Sequence, residues 1–361
     1  MDQQSDRTRV QSEALREFAS TLYQRVGVSQ ADADVVARMQ VETDLRGVYS
    51  HGTRALPDYV HDIRNGEINP TPNVRVLAEA PSTAVLDADN SLGHISSIRA
   101  MQLAIAKAHA TGIAAVTVRN SNHYGASACF AMMALSEGMI GFTTTKTRDA
   151  DVAPYGGASG VLGNHPIAYA IPTQAEPPIV LDMACGIVAS RRIEAFAIEG
   201  KQLPPGWALT ADGQPTRDAC QAKTILPIGG PKGHGLAIVM SILGGVLTGG
   251  PAACNRTPDT PPELAGRGHL FYALKVSNFC PLAEFTEAVD LEIRTIRNSK
   301  RADGVDRIYL PGEIEWLNQQ EALRHGIPLH RQHLDELAEV AVTLGTDVFW
   351  QTRALQTEST E

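Results

Sequence analysis

Pro70 and Pro72 divide the chain into two textures, and no other feature constrains its fold as strongly. Proline fixes φ and lacks a backbone donor, so neither a helix nor a central strand runs through such a pair. Ahead of it, Leu15, Phe18, Leu22, Tyr23 and Val26 recur at three- and four-residue steps and share one helical face. Ser29 followed by Asp32 reads as the N-cap and acidic first turn of a second helix through Val35, Val36 and Met39. Behind the prolines, Val74 and Val76 alternate with polar residues and Ala84-Val85-Leu86 follows after a turn, the pattern of two strands.

A helix is predicted from Ile95 to His109, with Ile98, Met101, Ile105 and Ala108 near one face and Gly112 as its stop. Ile113–Val118 reads as a buried strand, Ala126–Glu137 as a short helix ended by Gly138, and Met139–Thr145 as another strand. Apolar stretches at Ile167–Ile171 and Ile179–Leu181 complete a mixed sheet. The Pro-, Gly- and Ala-rich run Pro251–Gly268 reads as a loop, and polar helical texture returns after Asp303. The expectation is an α+β body, residues 76–304, between helical segments 1–75 and 305–361 that pack on each other. A length of 361 residues carries a prior of roughly two domains.

Lys and Arg number 31 against 40 Asp and Glu, a net charge of −9 spread along the chain. Nucleic acids and anionic membranes want clustered cations, so both are disfavoured as partners. The longest uncharged apolar stretch, Gly235–Gly250, is too short and glycine-rich for a membrane span and reads as a buried helix. Cys129, Cys185, Cys220, Cys254 and Cys280 form no C-x-x-C pair, and their odd count argues against a disulfide framework or a zinc ribbon. The polar N-terminus has no signal-peptide core, so a cytosolic protein without a metal site is expected.

Common catalytic signatures are absent: there is no G-x-G-x-x-G after a strand, no P-loop, no H-E-x-x-H and no G-x-S-x-G. Five other segments can carry chemistry. Ser50-His51-Gly52-Thr53-Arg54, following Asp44-Leu45-Arg46-Gly47, gathers a hydroxyl, an imidazole and a guanidinium, a kit for a small hydroxy or oxo acid. Its plainer reading is a helix-ending turn with a surface arginine. Asn120-Ser121-Asn122-His123-Tyr124-Gly125 lies between a strand and a helix, where a histidine either exchanges a proton with a substrate oxygen or caps backbone groups. Asp182, ahead of Met183 and Ala184, closes an apolar strand and suits a helix cap, a ribose hydroxyl or the orientation of a histidine. Pro227–Gly235 sets four glycines around Lys232, which suits a phosphate or carboxylate and equally an ordinary turn before a buried helix. Pro311-Gly312-Glu313, alone, is a turn with a helix-start carboxylate. His61, His94, His325, His330 and His333 sit in polar contexts and are expected at the surface, whereas His165 stays open.

Taken in order, Asp44–Arg54, Ser121–Gly125, Ala153–Gly157, Gly163–Pro166, Leu181–Ala184, Pro227–Gly235 and Pro311–Glu313 resemble the type-2 malate/L-lactate dehydrogenase family. That family also holds ureidoglycolate and sulfolactate dehydrogenases, diketogulonate reductases and Δ1-piperideine-2-carboxylate reductases. The resemblance covers about residues 10 to 330. It implies a non-Rossmann dinucleotide-binding α+β domain with a mixed sheet, inserted between helical segments, in a homodimer. It also implies hydride transfer between NAD or NADP and C2 of a small 2-oxo acid or a cyclic imine acid. Carried over by position, His51 and His123 are the proton-transfer residues, and Ser50 and Arg54 orient the substrate. Asp182, Met183, Ala184, Lys232, Pro311, Gly312 and Glu313 line the nucleotide, with Thr147 beside them.

Three departures stand out. The family often has Thr-Asn-Ser after the strand ending near Thr145, where this chain reads Thr145-Lys146-Thr147-Arg148-Asp149. Many relatives carry the arginine one residue further from the Ser-His pair, where this chain has Ala55. Past Ala184, Ala189-Ser190-Arg191-Arg192 replaces an Ala-x-Gly-Lys run; its guanidinium pair suits the 2′-phosphate of NADP, and equally a solvated helix face. A cyclic imine reductase is the nearest rival reading. A catalytically silent nucleotide binder is the other, motivated by the altered Thr145–Asp149 run and opposed by the retention of both histidines.

Overall fold

The computed structural model describes residues 6–250 and 267–350. The N-terminal elements are β1 (Arg7–Val10), α1 (Ser12–Arg25), α2 (Gln30–Leu45) and α3 (Leu56–Arg64). Then come β2 (Arg75–Ala80), β3 (Thr83–Asp87), α4 (Gly93–Thr111), β4 (Ile113–Ser121), α5 (Ser127–Ala131), β5 (Met139–Thr145), β6 (Ile167–Ile171) and β7 (Ile179–Met183). They are followed by α6 (Ser190–Ile198), short strands β8 (Ala208–Leu209), β9 (Pro215–Thr216) and β10 (Thr224–Ile225), and α7 (Pro231–Gly244). The last are β11 (Arg267–Lys275), α8 (Leu282–Arg297), α9 (Glu313–His325), β12 (Ile327–His330) and α10 (Arg331–Thr343).

Local chemistry sets several boundaries as expected. Ser29 caps α2, its hydroxyl accepting the Asp32 amide at 3.2 Å, and Gly112 closes α4 with φ at +85°. The helix expected over Ala126–Glu137 is shorter: α5 tightens into a 3-10 turn over Met132–Glu137 before Gly138.

A seven-stranded mixed sheet runs β2-β3-β4-β11-β5-β6-β7, so the fold is α+β. Only β3 and β4 are parallel. Its middle strand, β11, is absent from the pattern-based expectations. Residues 251–266 of the expected loop Pro251–Gly268 lie outside the described residues, and Arg267 and Gly268 belong to β11. The reason is physical: buried on both faces, Leu270-Phe271-Tyr272-Ala273-Leu274 shows no polar alternation to mark it. Phe271 and Ala273 join the core beneath α4, whereas Leu270 joins the opposite one with Ala237 and Met240 of α7. The outer side of α7 is not buried: Ile238, Val239 and Ile242 are exposed, against the expectation of a buried helix.

The two ends of the chain share a core. β1 pairs antiparallel with β12, Val10 opposite Ile327, and Leu15, Leu22, Tyr23 and Leu56 pack in one cluster with Leu334 and Leu337 of α10. Two histidines expected at the surface are buried instead. Burial pushes His94 down to about 3, and His333 to about 4 with Arg54 opposing its charge as well, so both are neutral.

His333 belongs to a buried polar clasp that positions the Ser50–Thr53 loop. Oδ2 of Asp44, on α2, accepts the Thr53 amide at 2.9 Å and the Thr53 hydroxyl at 2.6 Å. With that hydroxyl proton spent, Nε2–H of His333 donates to Thr53 Oγ1 across 3.1 Å. Gln40 holds the Gly52 carbonyl at 3.1 Å. Gly52 passes so closely over Asp44 that a Cβ there would sit 1.9 Å from Oδ1, so only glycine fits. Burial raises the Asp44 carboxyl to about 7, against the lowering by its two bonds from Thr53.

A carboxyl raised in the folded state keeps its proton where the unfolded chain has released it, so its contribution is full at low pH and is lost as pH rises towards 7. Asp44→Asn removes this titration. Urea unfolding at pH 4 and pH 7 should therefore show the wild type losing more stability than the variant across that window, by up to one proton of linkage. Equal losses would remove Asp44 as the titrating group.

Candidate active site

A cavity of about 730 Å³ opens where the ends of β4, β5 and β7 meet the helical elements. The clasped loop delivers Ser50 and His51 to its wall, and the turn after β4 delivers His123. Thr147 enters after β5; Asp182, Met183 and Ala184 enter from the end of β7; Pro311 and Gly312 come from the turn before α9. Nine of the predicted residues, distant in sequence, thus share one space.

The two histidines face each other with ring centroids 5.7 Å apart. Ser50 Oγ lies 2.8 Å from Nδ1 of His51. The hydroxyl of Tyr59, on the buried face of α3, lies 2.5 Å from Nδ1 of His123. The His123 turn is held against the start of α4, where the Gly93 amide donates to the His123 carbonyl at 3.2 Å. His165 is buried beside the cavity; its Nδ1 accepts the Thr147 amide at 3.1 Å, and burial together with the charges of Lys146 and Arg267 pushes it down to about 3.

Asp182 serves two neighbours at once. Its Oδ2 accepts the Ala128 amide at 2.7 Å, bracing the first turn of α5 against β7, while the side chain still opens on the cavity. Surrounding protein raises its carboxyl to about 6, against the opposing pull of the Ala128 amide and of Arg46. Pro311 is held by its carbonyl, which accepts the Val180 amide at 3.0 Å.

Three predicted residues lie outside the cavity wall. Arg54 is 45% exposed and points to Glu336 of α10, with 3.9 Å between them. Lys232 is exposed on the first turn of α7. Glu313 is buried and turned towards Arg297, at 3.1 Å, and Arg307, while accepting the Leu310 amide at 3.0 Å. Burial alone would raise Glu313, but the Leu310 amide and the two guanidinium groups hold it below the ordinary carboxylate value. Its bonds anchor the turn whose other residues line the cavity.

Three residues with no role assigned by sequence also border the site. Arg46 and Arg267 line the cavity, and Tyr59 backs His123. Arg46 stands in the Asp44–Arg54 segment and was within reach of its motif. Tyr59 is one more apolar-face residue of an amphipathic helix, and Arg267 starts the unmarked strand. On α6, Arg192 stacks its guanidinium 5.2 Å from the centre of the Phe196 ring.

Residues 10–338 match the family model described as malate/L-lactate dehydrogenase. A malate dehydrogenase of Pyrococcus abyssi is 38% identical over 347 residues, covering 93% of this chain and 95% of the relative. An L-sulfolactate dehydrogenase of Methanocaldococcus jannaschii is 36% identical, over 90% of this chain and 94% of its own length. The solved malate dehydrogenase of Pyrococcus horikoshii superposes with a TM-score of 0.86 at 37% identity, covering 95% of this chain and 97% of that one. Sequence, fold and the order of the cavity segments agree: the chain belongs to the malate/L-lactate dehydrogenase family.

Proposed function

We propose that this oxidoreductase moves a hydride between a nicotinamide dinucleotide, NAD or NADP, and C2 of a small 2-hydroxy or 2-oxo acid of the malate, lactate or sulfolactate kind. The observation that carries the reading is the pair of imidazoles 5.7 Å apart in a cavity much larger than such an acid needs. A volume of about 730 Å³ lies within the range of cofactor sites. Its wall also fits a dinucleotide: Val180, Leu181, Met183 and Pro311 offer apolar surface, and Asp182 and Thr147 offer polar contacts. When bound, the dinucleotide supplies or receives the hydride.

The protein's own part is proton transfer and orientation. The oxygen left at C2 after hydride arrival needs a proton, and His123 donates it. His123 gives its Nε2–H to the substrate oxygen and keeps its Nδ1–H on the Tyr59 oxygen both before and after the transfer. One hydroxyl serves both states, so the ring keeps its place through the transfer. His51, oriented by Ser50, polarises the same oxygen from the other side.

The same reading takes segments 1–75 and 305–361 as one unit beside the cofactor-binding body 76–304, and the protein as a cytosolic homodimer. Free Cys129, Cys185, Cys220 and Cys280 suit a reducing compartment. No helix among the described residues is long and apolar enough to cross a membrane. Support for the dimer comes from α7 and the turn after it, where Ile238, Val239, Ile242, Val246 and Leu247 form an exposed apolar stripe that a second copy would cover.

Two sets of variants test these readings. His51→Ala and His123→Ala should each lower kcat about 10²–10⁴-fold while cofactor fluorescence titrations stay unchanged; Tyr59→Phe should lower it about tenfold, the value of one lost hydrogen bond. Near-wild-type turnover by His123→Ala would remove it as the donor. Reduction of cyclic imine acids alone would favour the imine reductase, and cofactor binding without turnover on any acid would favour a silent relative. Ile242→Asp should sediment as a monomer; an unchanged dimer would place the interface elsewhere.

A further inference from the structure

We propose that Arg267 holds the substrate carboxylate, the task that position in the family motif would give to Arg54. The inference rests on the 2-oxo-acid reading above and names the residue that recognises the acid group. A 2-oxo acid carries its carboxylate directly on the reacting carbon, C2. A cation must therefore stand in the same cavity as the two histidines, and guanidinium matches a carboxylate with two parallel hydrogen bonds.

The cavity offers few choices. Arg54 lies outside it beside Glu336, and Lys232 lies outside it on α7. Arg46 and Arg267 are the lysine or arginine residues on the described wall. Arg46 shares its part of the cavity with two carboxylates, Asp182 and Glu315, and its charge already acts on Asp182. Arg267 has no such counterpart. Among the described residues no carboxylate comes within ion-pairing distance of it, and Asp149 reaches it only as a longer-range charge.

Strand geometry aims Arg267 at the reacting end. It stands opposite Ser121 on β4, two residues before His123, and lines the same cavity as His51, His123 and Tyr124. The β4–β11 register slips between Arg267 and His269. An irregularity of this kind at a strand end re-aims the side chain beside it, here at the cavity rim. Burial disfavours the charged guanidinium, which makes an unpaired cation costly until an anion enters. A carboxylate seated on Arg267 leaves the adjacent C2 oxygen to His51 and His123.

The test uses oxamate, an isostere of pyruvate, bound to the full-length enzyme with its reduced cofactor and followed by cofactor fluorescence. In parallel, kcat/KM is compared for pyruvate, for oxaloacetate and for the neutral amide pyruvamide. Arg267→Gln should weaken oxamate about 100-fold, the usual size of a lost buried charge contact, and bring the acid-over-amide preference close to one. Its affinity for the reduced cofactor should not change. Arg267→Lys keeps the charge without the fork, guards against a folding defect in the glutamine variant, and should fall between. Arg54→Gln should leave oxamate affinity and the acid preference as in the wild type. Wild-type oxamate affinity and acid preference in Arg267→Gln would overturn the assignment while leaving the dehydrogenase reading intact. A wild type that neither binds oxamate nor reduces any 2-oxo acid would remove both.

Discussion

Backbone pairing on both edges of β11 is the constraint on which the molecule depends. β4 and β5 do not pair with each other; each finds its partner in a strand that arrives far later in the chain. Their inward amides and carbonyls would be buried and unpaired without it, at a cost comparable to a lost hydrogen bond per group. The same strand feeds two cores through alternate side chains, Phe271 towards α4 and Leu270 towards α7. It also carries Arg267 and His269 to the sheet end where the turns after β4 and β5 begin; His269 Nδ1 meets Thr145 Oγ1 at 2.7 Å.

The helical elements supply the other half of the site, and they do so through buried polar contacts. Asp44, Thr53 and His333 join α2, the Ser50–Thr53 loop and α10, so that the loop bearing His51 is held from both chain ends. Such a clasp adds modestly to stability, since buried carboxylates lose much in desolvation. Its value is geometric: an imidazole can work beside another only if its backbone does not wander. Tyr59 and Ser50 perform the same service at the level of the rings.

Much of this was legible along the chain, and the exceptions share a cause. The periodicity at Leu15–Val26, the cap at Ser29 and the stops at Gly112 and Gly138 are local, and each acts where its residues stand. The motif segments carrying Ser50, His51, His123, Asp182 and Pro311 converge on one cavity. β11 escaped because a strand buried on both faces has no alternation to read. His94 and His333 escaped because neighbouring polar residues say nothing about what another element will cover. Glu313 and Arg54 belong to motif segments, yet their side chains turn to Arg297, Arg307 and Glu336, partners that only the packing of α8, the turn before α9, and α10 brings near.

By itself, then, the sequence determined the helix and strand segments whose periodicity and caps are local, the α+β class, and the order of segments that marks the family. Tertiary structure alone decided which strand stands at the centre of the sheet, which histidines lose water, and which arginines face the cavity. The physical reason is range. Propensity, capping and turn chemistry act over a few residues, whereas burial, register and charge pairing depend on atoms that folding brings together from opposite ends of the chain.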